Sequence, residues 1–286
     1  MNKRIIGVVG VVLGVIGCAS APSDDEVSTK ARPSGVTLST LPAGALLPDI
    51  VEEPPRHLNV KRAQQRELLR FTSTHWNAGA GTLQIRGGGQ VQTCTVEEGG
   101  ELVTTQCTVS TQEILNAQGQ VVATHPAGVA LFHPDHNHWH QDNVADFLIR
   151  AGSLDGPIVG MATKQTYCLI DYDRWSGIPN NSMKVYYSCD AELQGISFGF
   201  GDEYHHATHG QEIEITTLPP GVYYLTHMAD PTNKWLELRD DNNFSWTKFR
   251  LRRDSNSGNG LIDVLEESPC ADQDPYGMAC GNTSNK

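Results

Sequence analysis

The sequence predicts a mainly β protein: a β-sandwich core with long loops, few short helices and disulfide staples. Three observations predict it. Short runs rich in β-branched and aromatic residues recur along the chain, broken by Gly, Pro and Asn. Apolar periodicity of the helical kind is almost absent. Seven cysteines accompany an N-terminus of export type, where disulfides are expected. Apolar residues including glycine make up about 45% of the 286 residues, the globular norm, so a buried core is within reach.

In chain order, Lys3 and Arg4 precede an apolar run from Ile5 to Gly17, too short to span a bilayer and ordered as an export signal is. The run ends in Val15, Ile16, Gly17 and Cys18, similar to a bacterial lipobox, so residues 1–17 are expected to be removed and Cys18 to carry a lipid anchor. With Ala19 rather than Asp after the cysteine, delivery to the outer membrane is expected. Residues 18–45 read as a flexible tether. The β-like runs then fall at 67–72, 81–86, 91–96, 102–110, 145–150, 160–170, 212–217, 221–228 and 245–252, within one domain over residues 46–253. Glu98-Gly99-Gly100 and Pro219-Pro220-Gly221 read as hairpin turns. Residues 254–286 form a Ser-, Gly- and Asn-rich tail; within it 254–266 looks like an EF-hand loop with one residue too many.

Cysteines other than Cys18 number six, allowing 15 pairings. Nearest neighbours are the simplest choice: Cys94 with Cys107, Cys168 with Cys189, Cys270 with Cys280. The formal charge is −12, and becomes −14 when the signal takes Lys3 and Arg4 away. With no Lys/Arg cluster, a nucleic-acid partner is excluded. An acidic surface instead favours a cationic partner.

Four of the eleven histidines, His133, His136, His138 and His140, fall within eight residues. On a strand, His136, His138 and His140 leave one face and Trp139 the other. Three same-face imidazoles suit Cu, Zn, Fe or Ni, and copper binds such donors most tightly. Spacing alone does not choose copper over zinc.

The H-x-x-H-x-H-x-H run resembles the copper site of the lysyl oxidases. The resemblance continues in unbroken order through LPDIVEE at 47–53, RELLRF at 66–71, KQTYCLID at 164–171, CDAELQGISFGFGDEY at 189–204, EITTLPPGVYYL at 214–225 and DDNNF at 240–244. It implies Cu(II) on His136, His138 and His140, with His133 auxiliary. It also implies a lysine tyrosylquinone cofactor built from Lys164 and Tyr204, and oxidation of primary amines, peptidyl lysine or small amines, to aldehydes with release of H2O2 and NH3. Read without the resemblance, Lys164 is a solvated strand lysine and Tyr204 a loop aromatic. A structural Ca2+ site is implied on Asp49, the Ile50 carbonyl, Glu237, Asn242 and Asn243; the family's middle acid falls on Arg239, so Asp240 or Asp241 would have to substitute.

Two departures matter. Where vertebrate members carry a cysteine before the three histidines, this chain has Asp135, which favours pairing Cys168 with Cys189. The histidine proposed as the proton-abstracting base in those members falls on Phe147, so Asp142, Asp146 or Asp202 must serve. Three other readings compete. A cupin needs a Glu after the cluster and a Gly-x-x-His, whereas none follows here and His227 lies six residues after Gly221. A zinc hydrolase would use three His and an open position. An exported copper-binding β-domain would lack oxidase activity.

Overall fold

The computed structural model describes residues 37–98, 101–134, 136–175 and 183–269. The expected signal 1–17, the lipidated Cys18, most of the tether, Gly99, Gly100, Asp135 and the Cys270–Cys280 pair lie outside the described residues. A 3₁₀ turn at Leu38–Thr40 precedes β1 (Ala45–Leu46), β2 (Ile50–Glu52), β3 (Arg56–Ala63), β4 (Arg66–Asn77), β5 (Leu83–Gly87), β6 (Gln92–Glu98), β7 (Glu101–Asn116), β8 (Val121–His133) and β9 (His138–Gln141). Then come β10 (Ala145–Ala151), β11 (Ile158–Met161), β12 (Asp173–Arg174), β13 (Gln194–Ile196), β14 (Phe200–Tyr204), β15 (Glu212–Glu214), β16 (Gly221–Ala229), β17 (Phe244–Arg253) and β18 (Gly260–Glu267). The fold is mainly β as expected; among the described residues the 3₁₀ turn is the only helical element.

The strands form three sheets. One runs β13-β5-β7-β8-β9, with β1 and β6 also on β7; a second runs β11-β10-β16-β17-β18; the third runs β12-β14-β4-β15, with β2 and β3 also on β4. All pairings are antiparallel, which suits sheets with one wet and one dry face. β17 shows the resulting alternation: Ser245, Thr247, Phe249 and Leu251 point inward and their neighbours outward. β4 is buried almost continuously from Leu68 to Asn77, because it pairs with four strands and lies in the centre. Leu69 and Phe71 from β4, Leu83 and Ile85 from β5, and Phe147, Ile149, Leu225 and Phe249 from the second sheet share one core. Each such side chain contributes about 1.5–3 kcal/mol on burial.

Cys94 pairs with Cys107 and Cys168 with Cys189, at Cα separations of 5.8 and 5.4 Å. Both spans fit disulfide geometry, and both bonds fit an oxidising, exported setting. Glu98 opposes Glu101 across antiparallel β6 and β7.

Four expectations are corrected. Pro219-Pro220-Gly221 is not a hairpin turn: β15 pairs with β4 and β16 with β10 and β17, so the prolines carry the chain between sheets. The run 160–170 is not one strand. β11 ends at Met161, and residues 162–170 leave the sheet, keeping a single bridge, Gln141 with Tyr167. Residues 254–266 are not an EF-hand loop. Asp254 caps a β17–β18 hairpin by accepting from the N–H groups of Asn256 and Ser257, and β18 is a strand where an EF-hand needs a helix. Finally, β9 begins at His138, which leaves His136 in the preceding turn.

Candidate active site

The histidine cluster is built by the β8–β9 hairpin. Its register sets His133 opposite His138 and Leu131 opposite His140. Directly opposed residues share a face, so His133 joins His138 and His140 on one side. Phe132 and Trp139 meet on the other, ring centres 5.5 Å apart. His136 reaches the same side from the turn, where the His136 N–H donates to the His133 carbonyl and Asn137 takes φ 54°. Its ring stacks on His133 at 4.2 Å.

One ligand nitrogen from each of His133, His136 and His140 lies within 4.8 Å of the other two. His138 Nε2 and His140 Nε2 are 2.8 Å apart. His140 is therefore the hub of both groupings, and His133 sits closer to the centre than an auxiliary role required. Burial first, then the Lys164 charge and the neighbouring histidines, push His140 down to about 2; burial also lowers His138. Both rings are neutral at pH 7 and free to ligate a metal. The donor set, all imidazole, fits a copper-class ion.

The segment that leaves the sheet after β11 runs along β9. Gln141 and Tyr167 exchange backbone hydrogen bonds, and Thr166 Oγ1 lies 3.2 Å from His140 Nδ1. Trp139 N–H donates to the Cys189 carbonyl, so the Cys168–Cys189 bond fastens the far side of β9 to the same segment. The departure from the sheet brings Lys164 inward. It is 6% exposed, not the solvated strand lysine that the bare sequence indicated.

Lys164 Nζ lies 4.9 Å from the centre of the Tyr204 ring and 4.8 Å from that of Tyr167. The rings are perpendicular neighbours at 4.6 Å. Tyr204 closes β14, where its hydroxyl donates to the Cys168 carbonyl at 2.5 Å. Burial holds that phenol well above its usual value. Gly210, at φ 82°, packs against the Lys164 stem so closely that a Cβ there would come within 2.9 Å of Cδ. Tyr167 and Gly210 are contributors to which the sequence reading gave no role: Tyr167 is the aromatic residue of the KQTYCLID stretch, and no motif marks Gly210.

A cleft of about 450 Å³ is lined by His136, His138, His140, Lys164, Asp202, Glu203 and Tyr204, among others. Tyr167 does not line it. Of the three candidate bases only Asp202 does. Asp142 accepts from Asn143, and Asp146 from Gln165, outside the cleft lining. Asp202 lies two residues before Tyr204, on the same face of β14. Its burial pushes the carboxyl up to about 8 against the pull of His75 and Lys164, close to the pH at which a general base works best.

The residues expected to hold calcium also meet. The Ile50 N–H donates to Glu237 Oε2, Asn243 Nδ2 to Glu237 Oε1, and Asn242 Nδ2 to Asp49 Oδ1. Ile50 thus enters through its N–H in this arrangement. Asn242 Oδ1 and Asn243 Oδ1 are buried without a hydrogen bond, and burial raises the Glu237 and Asp49 carboxyls. Spare buried oxygens beside two carboxyls fit a hard cation. Arg239 instead pairs with Asp241.

The lysyl oxidase family model matches residues 108–257, more than half of the chain. The chain belongs to the lysyl oxidase family. Lysyl oxidase homolog 2 of Rattus norvegicus is 32% identical over 124 residues, 43% of this chain and 15% of that protein. Lysyl oxidase homolog 4 of Mus musculus is 29% identical over 116 residues, 40% of this chain and 14% of that protein. Lysyl oxidase homolog 2 of Homo sapiens is 31% identical over 128 residues, again 43% and 15%. The matched part of the chain thus spans about 15% of the length of these curated relatives. Family membership supports a copper amine oxidase-like role in general terms, and the matched span contains the whole histidine cluster, Lys164 and Tyr204.

Proposed function

We propose that this protein is an exported, copper-dependent amine oxidase that oxidises primary amines, with Lys164 and Tyr204 as the precursors of a lysine tyrosylquinone. The observation that carries the reading is the approach of the Lys164 amine to the Tyr204 ring in a cleft shared with three histidines. His136, His138 and His140 would hold copper, with His133 able to add a fourth nitrogen. When present, copper and the quinone would supply the redox chemistry, by which amine, O2 and water become aldehyde, NH3 and H2O2.

The chain's own residues have distinct tasks in this reading. The Cys168 carbonyl, held by its disulfide, fixes the Tyr204 hydroxyl and with it the ring plane. Asp202 accepts the α-proton of the bound amine; its raised affinity for a proton makes it basic enough for a carbon acid. Glu203, joined by Asp202 when that carboxyl is ionised, would give the cleft a negative lining that attracts an alkylammonium group. Peptidyl lysine and small amines share that group. The Asp49–Glu237 cluster would take Ca2+ as a structural ion, and a lipid on Cys18 would tie the domain to a membrane.

Phenylhydrazine titration of the copper-loaded protein tests the reading. A coloured adduct that disappears in Tyr204→Phe and persists in Tyr167→Phe is expected. Absence of the adduct, or its persistence in Tyr204→Phe, overturns the quinone assignment. Retained copper without peroxide production from any amine would return the protein to a copper-binding domain without oxidase activity.

A further inference from the structure

A second cluster of metal-ligating side chains lies away from the cleft, at the meeting of two sheets. Glu52 of β2 and His75 of β4 oppose each other in register, and His227 of β16 approaches from the neighbouring sheet. Their exposures are 0%, 1% and 0%. Phe147 stacks on His227 at 4.4 Å and the Tyr167 ring lies edge-on to His75 at 5.9 Å, so aromatic walls keep water out. A carboxylate and two imidazoles in such surroundings are costly unless something compensates them.

The geometry indicates what compensates them. One ligand atom of each residue lies within 4.8 Å of the other two. His75 Nδ1 is 2.8 Å from Glu52 Oε1, and His227 Nε2 is 2.5 Å from Glu52 Oε2. His227 Nδ1 lies 3.2 Å from the Glu53 carbonyl. A carbonyl only accepts, so Nδ1 carries the hydrogen and Nε2 of the neutral ring carries a lone pair. That lone pair meets a carboxylate oxygen in a contact that lacks hydrogen-bond geometry on either atom. Two acceptors this close repel unless a proton or a cation bridges them. A ring oriented by a backbone carbonyl, its other nitrogen aimed at a carboxylate, is also how proteins hold a metal-binding histidine.

We propose that Glu52, His75 and His227 form a second metal site, for a divalent transition ion of the zinc–copper class, with ligands separate from the cleft histidines; the proposal does not rest on the oxidase reading. Two imidazoles and one carboxylate suit such ions and not Ca2+ or Mg2+, which take oxygen. Three ligands leave one position for a small ligand such as water. Asp202, which also lines the cleft, opposes His75 across β14–β4 and keeps a buried oxygen without a hydrogen bond, so a bound cation would favour its ionised form. Fully enclosed, the ion would enter during folding, exchange slowly, and tie β2, β4 and β16 together.

Metal counting on the folded protein tests this. A variant with His133, His136, His138 and His140 all changed to Ala, expressed with zinc and dialysed against EDTA, is expected to keep one zinc ion per chain. Its X-ray absorption spectrum should show two nitrogen ligands and at least one oxygen. Adding Glu52→Gln and His227→Gln should remove that ion. If the four-histidine variant, refolded with excess zinc, holds none, the bridge is a shared proton only and the proposal fails. It also fails if the spectrum shows oxygen ligands alone, a result that does not require the core variants to fold.

Discussion

The Lys164 amine lies within 5 Å of two tyrosine rings at once, 4.8 Å from Tyr167 and 4.9 Å from Tyr204, yet only Tyr204 faces the cleft that holds the histidines. Distance does not separate the two phenols. Access to the histidine cluster does, since Tyr167 is sealed in the core with no exposed surface.

Gly210→Ala should misplace Lys164. The new Cβ would meet the lysine stem, and φ 82° strains any L side chain there. The strain costs on the order of 1 kcal/mol in stability. The larger expected effect is loss of the Lys164–Tyr204 cross-link, read as loss of the linked peptide in a proteolytic digest. An intact cross-link at wild-type yield would show that Gly210 does not position the lysine.

Asp202→Asn should lower turnover by roughly 10²–10⁴-fold, the usual loss for a positioned general base. Adduct formation with phenylhydrazine should survive, because it needs the cofactor and not the base. Asp142→Asn and Asp146→Asn should turn over within a few-fold of wild type. If one of these two is the inactive variant, the base is misassigned.

His133→Ala should weaken copper binding by 10–100-fold, the loss typical of a group that supports a metal site, whereas His140→Ala should abolish it. Competition with a chelator of known affinity measures both. Equal, complete loss in the two variants would make His133 a ligand of the same rank as His140, which the 4.8 Å spacing of His133, His136 and His140 allows.

Replacing Cys168 and Cys189 by Ser opens a loop of 21 residues and should cost about 3 kcal/mol in urea denaturation. The Tyr204 hydroxyl donates to the Cys168 carbonyl, so activity should fall more than stability alone explains. Full activity at temperatures where the variant is folded would show that the tyrosine is held without the disulfide.

Much of this was legible in the sequence. Period-2 runs located β4, β5, β7, β10, β16 and β17, because half-buried strands must alternate. The alternation of His138, Trp139 and His140 was legible for the same reason. His136 was misread as a strand residue, because a turn that bends an imidazole back onto its neighbours leaves no periodic trace. Lys164 was legible only through family resemblance. Its neighbourhood, the departure from the sheet after Met161, is set by long-range pairing of Tyr167 with Gln141 and by the Cys168–Cys189 bond. The buried trio of Glu52, His75 and His227 escaped notice for a related reason: its members lie 23 and 152 residues apart and meet only when two sheets pack. Glu52 and His75 also lie outside the span that matches the family model.

The closeness of Lys164 and Tyr204 bears on durability as well as on chemistry. A covalent bond between them would close a loop of about 40 residues around the Cys168–Cys189 ring, removing unfolded-chain entropy worth ~4 kcal/mol. Unlike the disulfide, that tie could not be undone by a reductant. Cofactor formation would then be a one-way maturation step, after which an aged molecule resists thermal unfolding and proteases better than a newly folded one. The same bond that would make the protein an oxidase would also leave a permanent record of its first encounter with copper and oxygen.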